Sequence, residues 1–291
     1  MTEALALGDH LLAGAVGLVV KRRSGIAEDV ARLVVKELAE RGVEVLVDET
    51  VDYPSLSHLP RFSISRDPPG RVVVVGGDGT LLRTFLRLGE RESPLFMTIK
   101  AGKKGFLLDV ERYEAVERLR DFLDGRFREV VYPRYRVYLE GEARGCMFND
   151  TAVTANNAKM ARVHVFVDGD LAMNIDGDGV VVSTTAGSTA YSLSGGGPII
   201  DPRLDVMVLT PLNPVQLFLR SIVVPSGSRV TVEASVYSNP LVVNIDGQYV
   251  YELEPGGIVD IERCGSGVRI ARFRWWEDYY ERLYTRLLAY W

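Results

Sequence analysis

In the first half of the chain, apolar runs of strand length alternate with apolar residues at helical spacing. Ala15–Val20 reads as a strand. After a loop at Lys21–Gly25, the residues Ile26, Val30, Leu33, Val34 and Leu38 predict an amphipathic helix stopped at Gly42. Val43–Val47 is the next strand, and strand–helix–strand in this order predicts a right-handed βαβ unit in a parallel sheet. Residues Asp48–Pro69 carry Pro54, Pro60, Pro68 and Pro69 among several serines and read as a mobile connection. Val72–Val75 is a run of β-branched residues, the pattern of a strand buried on both faces. Leu81, Leu82, Phe85 and Leu86 then return to helical spacing, with Gly89 as the stop. Pro94–Ile99 is a further strand and Gly102–Leu108 a loop. Val110, Val116, Leu119, Phe122 and Leu123 predict a helix ending at Gly125.

Near residue 127 the pattern changes. Val130–Leu139, Val163–Val167, Val180–Ser183, Val206–Leu209, Val230–Ala234 and Leu241–Ile245 are short β-rich runs with no clear helix between them. Asp168-Gly169 and Asp246-Gly247 follow two of these runs and read as hairpin turns. From Trp276, the residues Tyr280, Leu283, Tyr284, Leu287, Leu288 and Trp291 return to helical spacing. The expected fold is therefore an α/β N-terminal domain with a parallel sheet, followed by an all-β domain. A C-terminal helix packs its aromatic face back on the N-terminal domain. The boundaries are 1–126 together with 268–291, and 127–267.

Composition narrows the function. A length of 291 residues suits two domains, and a net charge of −5 argues against a nucleic-acid or membrane-surface footprint. The apolar run Leu11–Val20 is too short to span a bilayer, and Lys21-Arg22-Arg23 follows it instead of preceding it as in a signal peptide. A cytoplasmic soluble protein is expected. Cys146 and Cys264 are far apart and fit no zinc or redox spacing, and His10, His58 and His164 are isolated, so no dedicated metal site is expected.

The chemistry concentrates in two motifs. Gly76-Gly77-Asp78-Gly79-Thr80 sits in a strand-to-helix turn, where converging amides and the helix dipole favour a phosphate. Asp78 is the one reactive side chain among the glycines. The alternative is a tight turn and nothing more; the pattern is neither a Walker A loop nor a dinucleotide fingerprint. The second motif is Asp176-Gly177-Asp178-Gly179, then Gly187-Ser188-Thr189-Ala190-Tyr191 and Ser194-Gly195-Gly196-Gly197-Pro198. Small hydroxyl residues with exposed backbone suit a polar, planar ligand, with Tyr191 available for stacking; a long solvated loop is the alternative.

Together with Phe148-Asn149-Asp150, these motifs appear in the order and spacing of NAD kinases, and the resemblance runs from the first strand to at least Asp246-Gly247-Gln248. It implies a phosphotransferase that moves a terminal phosphoryl group from ATP or inorganic polyphosphate onto the 2′-hydroxyl of the adenosine ribose of NAD, giving NADP. Lipid kinases and a non-catalytic dinucleotide sensor are the rivals. The resemblance places Asp78 beside that hydroxyl as base or orienter, and the amides of Gly76, Gly77, Gly79 and Thr80 on donor phosphates. Asn149-Asp150 corresponds to the family's Asn-Glu pair, with Asp shorter by one methylene. Thr189, Ala190 and Tyr191, with Ser194 close behind, match the adenine side, and Asp178 matches a contact to the nicotinamide end. Phe106 matches an aromatic near the adenine, though its residue type fits a core equally. Asp246 fits a family motif and a hairpin turn equally well. Mg²⁺ is expected with the donor, and a homodimer or homotetramer as the assembly. Lys103 and Lys104, just before Gly105-Phe106-Leu107, are either solvated or phosphate-binding.

Overall fold

The computed structural model describes residues 14–102, 105–156, 159–274 and 279–288, with side chains as far as 285 in the last segment. Lys103 and Lys104 lie outside the described residues, as do Trp276 and Trp291. The chain divides into two compact units, Met1–Val131 with Val268–Trp291, and Tyr132–Gly267. The β-rich unit thus starts at Tyr132 instead of 127.

The first unit contains β1 (Val16–Val20), α1 (Gly25–Glu40), β2 (Val45–Asp48), β3 (Arg61–Phe62), β4 (Arg71–Gly76), α2 (Asp78–Leu88), β5 (Leu95–Lys100), β6 (Val110–Glu111), α3 (Ala115–Leu123) and β7 (Arg128–Tyr132). Its sheet runs β3-β2-β1-β4-β5-β20-β7, where β20 (Val268–Arg272) is supplied by the returning end of the chain; β6 pairs with β5. β1, β2, β4 and β5 pair in parallel. Every residue of β4 is buried, as its unbroken β-branched run requires. The sheet grows outward from β1 to β2 and β3, then the chain returns to the other side of β1 for β4 and β5. A doubly wound sheet opens a crevice at such a reversal, beyond the carboxyl ends of the two diverging strands.

Two expectations in this unit are corrected. Asp48–Pro69 is a built segment. It contains a 3₁₀ turn at Pro54–Leu56 and β3, and β3 pairs in parallel with β2. The fully buried carboxylate of Asp48 holds the segment, accepting from the Thr50 amide at 3.0 Å and the Ile64 amide at 3.2 Å. Val110 belongs to a short strand, and the helix starts at Ala115. The C-terminal helix α5 (Tyr279–Leu288) packs within this unit through Tyr279 and Leu283, which close an apolar cluster with Phe106, whereas Tyr280 and Tyr284, expected on the docked face, are exposed.

The second unit stacks strands into two six-stranded sheets. One has the order β15-β14-β13-β10-β17-β18: Ile222–Pro225, Val206–Leu212, Gly179–Thr184, Asp150–Ala155, Leu241–Ile245 and Tyr249–Leu253. The other runs β12-β11-β16-β19-β8-β9: Asp170–Gly177, Ala161–Val167, Val230–Ala234, Ile258–Arg263, Tyr135–Leu139 and Glu142–Met147. The short helix α4 (Tyr191–Ser194) lies in the long segment between β13 and β14. Cys146 and Cys264 form a disulfide across a sequence separation of 118, a pairing their distance in sequence does not suggest. It ties the end of β9 to the residue after β19.

Candidate active site

In the first unit the glycine-rich stretch forms a strand-to-helix turn. Gly77 is the extended N-cap of α2 and Asp78 its first residue. Gly76 must lack a side chain, because a Cβ there would fall 2.6 Å from Thr80 Oγ1. A cavity of about 370 Å³ opens at this helix start, lined by Gly77, Gly79, Thr80, Thr84 and Arg83 from α2 and by Val19, Val20, Lys21 and Arg22 from the end of β1. Thr50 and Arg87 complete the lining. It occupies the crevice where the strand order reverses.

The cations of this cavity are held in place by their surroundings. Arg22 Nε donates to the Thr50 carbonyl at 2.7 Å, and the Tyr53 hydroxyl donates to the Lys21 carbonyl at 2.6 Å. Arg87 donates to Asp48 Oδ1 at 2.8 Å and to Glu49 Oε1 at 3.0 Å. Burial pushes the Asp48 carboxyl up, but hydrogen bonds from Arg87 and Thr50 outweigh it and hold the group below the usual carboxylate range.

Asp78 turns to the loop that follows β5. Its Oδ2 accepts from the Phe106 amide at 2.9 Å and its Oδ1 from the Leu107 amide at 3.0 Å. A carboxylate has about four acceptor positions, so two are left for a ligand hydroxyl. The same loop is held from behind, where Arg272 on β20 donates to the Leu107 carbonyl at 2.8 Å. The Phe106 ring, 8% exposed, lies edge-on to Tyr279. Its ring is core, and its backbone is what meets Asp78.

In the second unit the predicted residues gather on one face of the β13-containing sheet. Gly187 lies against the turn between β9 and β10; a Cβ there would sit 1.9 Å from the Asn149 carbonyl oxygen. Thr184 ties the two segments, its amide donating to the Asn149 carbonyl at 2.8 Å and its hydroxyl to the Phe148 carbonyl at 2.7 Å. Asp150 stands opposite Ser183 in the ladder, and Asn244 stands opposite Ala152. Strand alternation puts Asp150, Ser183 and Asn244 on the same face. Asn149 Oδ1, Ser183 Oγ and Asn244 Oδ1 are buried and have no hydrogen-bond partner among the described residues. Buried oxygens without partners are rare, and a cluster of them marks a place for a donor from outside the chain.

Asp150 is 6% exposed, and burial followed by the nearby charge of Asp246 pushes its carboxyl up to about 7, against a lowering by the Tyr191 amide. Thr189 is buried beside Ala190, while the Tyr191 ring is 46% exposed and Ser194 faces solvent. Asp178 is set apart from this group. It precedes β13 at Gly179, whereas Ser183 opposite Asp150 is near the strand's other end, a separation of about 17 Å at roughly 3.3 Å per residue. Asn213 Nδ2 donates to Asp178 Oδ2 at 2.7 Å. Polar groups at both ends of one strand suit an elongated ligand. Sequence reasoning did not find Ser183, Asn244, Thr50, Arg83 or Arg87, whose place depends on strand register and on the sheet's reversal.

A doubly wound sheet with a cation-lined cavity at its switch point, in one chain with a β unit that buries unpartnered side-chain oxygens, suits a phosphotransferase. Residues 70–127 match the ATP-NAD kinase N-terminal domain and 149–273 the ATP-NAD kinase C-terminal domain. An NAD kinase of Aeropyrum pernix is 97% identical over 96% of this chain and 100% of its own length. One from Thermococcus gammatolerans is 33% identical, covering 88% of this chain and 93% of its own. Among solved structures, a yeast NADH kinase complexed with NADH superposes with a TM-score of 0.81 at 22% identity, covering 89% of this chain and 83% of that one. An Archaeoglobus fulgidus NAD kinase in complex with ATP gives 0.76 at 24% identity, covering 93% and 99%. These two show the fold. The chain belongs to the NAD kinase family, whose members phosphorylate the 2′-hydroxyl of the adenosine ribose of NAD to give NADP.

Proposed function

We propose that the two units divide the reaction between them, with the donor's phosphates in the cation-lined cavity and NAD on the polar face of the second unit. The observation that carries this reading is the cavity's lining. Lys21, Arg22, Arg83 and Arg87 surround the start of α2 at Gly77, Gly79 and Thr80, and the lining holds no aromatic ring; the Thr80 amide already donates to the Gly77 carbonyl at 2.9 Å, and Gly76 stands outside the lining. Such a surface reads phosphates and not a base. ATP and inorganic polyphosphate both present the required groups. Magnesium enters with the donor's phosphates as part of that substrate and spreads their charge. Among the described residues no group of three or more His, Cys, Asp or Glu side chains is placed to hold a metal by itself.

Asp78 accepts the 2′-hydroxyl on its open acceptor positions and orients it for in-line attack, taking the proton as the bond to phosphorus forms. Asn149 and Asp150 hold the adenosine ribose. Thr189, Ala190, Tyr191 and Ser194 take the adenine side, and Asp178 the nicotinamide end. Phe106 acts by shaping the loop that Asp78 holds. A homodimer or homotetramer in the cytoplasm completes the proposal. The Cys146–Cys264 bond is buried, at 0% and 6% exposure, which shields it from thiol exchange. No helix among the described residues is long and apolar enough to cross a membrane.

The test is NADP formation by the pure protein with Mg²⁺ and either ATP or polyphosphate, each donor also assayed with the Arg22→Met variant. The proposal expects the donor KM to rise in that variant for whichever donor is used. An unchanged donor KM would remove the cavity from the reaction.

A further inference from the structure

β17 and β18 are joined by Asp246-Gly247-Gln248, with the Gln248 amide donating to the Ile245 carbonyl at 2.9 Å and positive φ of 52° and 66° at Asp246 and Gly247. This is a type I′ hairpin turn, for which Asn would serve as well as Asp. A turn needs nothing more of its first side chain. Yet Asp246 is 4% exposed, and its carboxylate crosses to the turn between β9 and β10. Oδ2 accepts from the Phe148 amide at 2.8 Å, and Oδ1 from the amides of Asn149 at 2.7 Å and Asp150 at 3.0 Å. The Asp246 amide donates back to the Asp150 carbonyl at 2.9 Å. Burying a carboxylate is unfavourable unless its acceptors are filled, and here successive amides of one turn fill them.

A second carboxyl, that of Asp150, is buried beside it, so ionising both sets two like charges together. Around the pair stand the Tyr191 amide, which meets Asp150, and Arg134, whose charge acts on Asp246. An asparagine at 246 would relieve the repulsion and keep the hairpin. The carboxylate therefore does something an amide does not.

We propose that Asp246 is a positioning residue of the NAD half-site: it fixes the Phe148–Asp150 turn so that Asn149 Oδ1 meets the substrate hydroxyls, and it sets a second carboxyl beside Asp150. The inference rests on the reading of Asn149 and Asp150 as NAD contacts. A protonated Asp150 donates a hydrogen bond to a ribose oxygen, and on ionising it becomes an acceptor only. Binding then depends on the state of Asp150.

Asp246→Asn tests both halves. It preserves the turn and the size of the side chain, but sets an amide NH₂ against the Phe148 N–H. NAD titrations of wild type, Asp246→Asn and Asn149→Ala across pH 5–9 are the measurement. In Asp246→Asn the Kd for NAD rises about tenfold to a hundredfold, the scale of one unpaired buried donor. The pH midpoint of binding moves down as the like charge disappears. A merely structural role would not move that midpoint. Wild-type Kd and midpoint in Asp246→Asn, with Asn149→Ala impaired, overturn the inference alone; wild-type binding in both variants overturns the NAD-site reading itself. Should Asp246→Asn fail to fold, amide exchange in the unaltered protein decides. The amides of 148–150 must be protected like the β10 core without NAD, and rapid exchange there overturns the proposal.

Discussion

The carboxylate of Asp78 lies 3.0 Å from the amide of Leu107, which makes the first residue of α2 the anchor of the loop after β5. Asp78→Asn therefore does two things. It removes the group proposed to take the hydroxyl proton, and it places an NH₂ against one of two backbone donors. The expected outcome is a fall in kcat of about 10²–10⁴-fold, with NAD affinity little altered. Steady-state kinetics with an independent NAD titration check it, and a variant with most of its turnover would refute the role.

Arg87 illustrates why the cavity's cations are not equivalent probes. Arg87→Met leaves the buried Asp48 without its partner, and losing one member of such a pair costs about 3–5 kcal/mol. Its expected phenotype is a lowered melting temperature. Lys21→Met leaves that pair intact, so its effect should be confined to the donor KM and that KM's salt dependence.

The Asp150 carboxyl carries a pH signature. Its pKa in the folded protein, about 7, is raised above the unfolded value of about 3.9, so the folded state holds the extra proton. Stability is fullest below about pH 4 as far as this group is concerned, and declines as pH rises through about 7. Asp246, pushed up to about 6 by burial, acts with the same sign. Asp150→Asn should match wild type near pH 4 and exceed it at pH 8, by about 4 kcal/mol at most. Denaturant unfolding at the two pH values measures this, and equal stabilities at pH 8 would place Asp150 in a wetter site.

The α/β core and the Gly76–Thr80 turn were legible because their determinants are contiguous. A β-branched run, glycines and a helical repeat occupy one short stretch. Residues 48–69 were not, because prolines and serines are visible in sequence while the contacts of buried Asp48 with Ile64 and Arg87 are long-range. Val116, Leu119, Phe122 and Leu123 carry the helical spacing, but Val110, six residues before Val116, falls off that face, and pairing with Ile99 on β5 decides its state. In the candidate site, Asn149, Asp150 and Tyr191 were proposed from family motifs. Ser183 and Asn244 look like ordinary strand residues until the register sets them beside Asp150. Asp246 was ambiguous for a physical reason, since it makes the turn and also anchors Asn149.

The disulfide was equally invisible, and it predicts a stability effect. Closing a loop with a sequence separation of 118 stabilises by about 4–5 kcal/mol in the chain-entropy picture. Cys146 lies two residues before Phe148, so the bond also braces the turn proposed to bind NAD. The Cys146→Ser/Cys264→Ser double variant should melt at a lower temperature and bind NAD more weakly. Thiol titration of the unfolded wild type finding two free cysteines would contradict the pairing.

The division of labour between the units is the central claim, and a full initial-rate matrix tests it most directly. Both substrates are varied against wild type, Arg22→Met and Asn149→Ala. Arg22→Met should raise the donor KM by about tenfold or more, the scale of a charge-assisted hydrogen bond, and leave the NAD KM within about twofold. Asn149→Ala should do the reverse. If both variants move the same KM, or Arg22→Met moves only that for NAD, the donor and acceptor are wrongly placed.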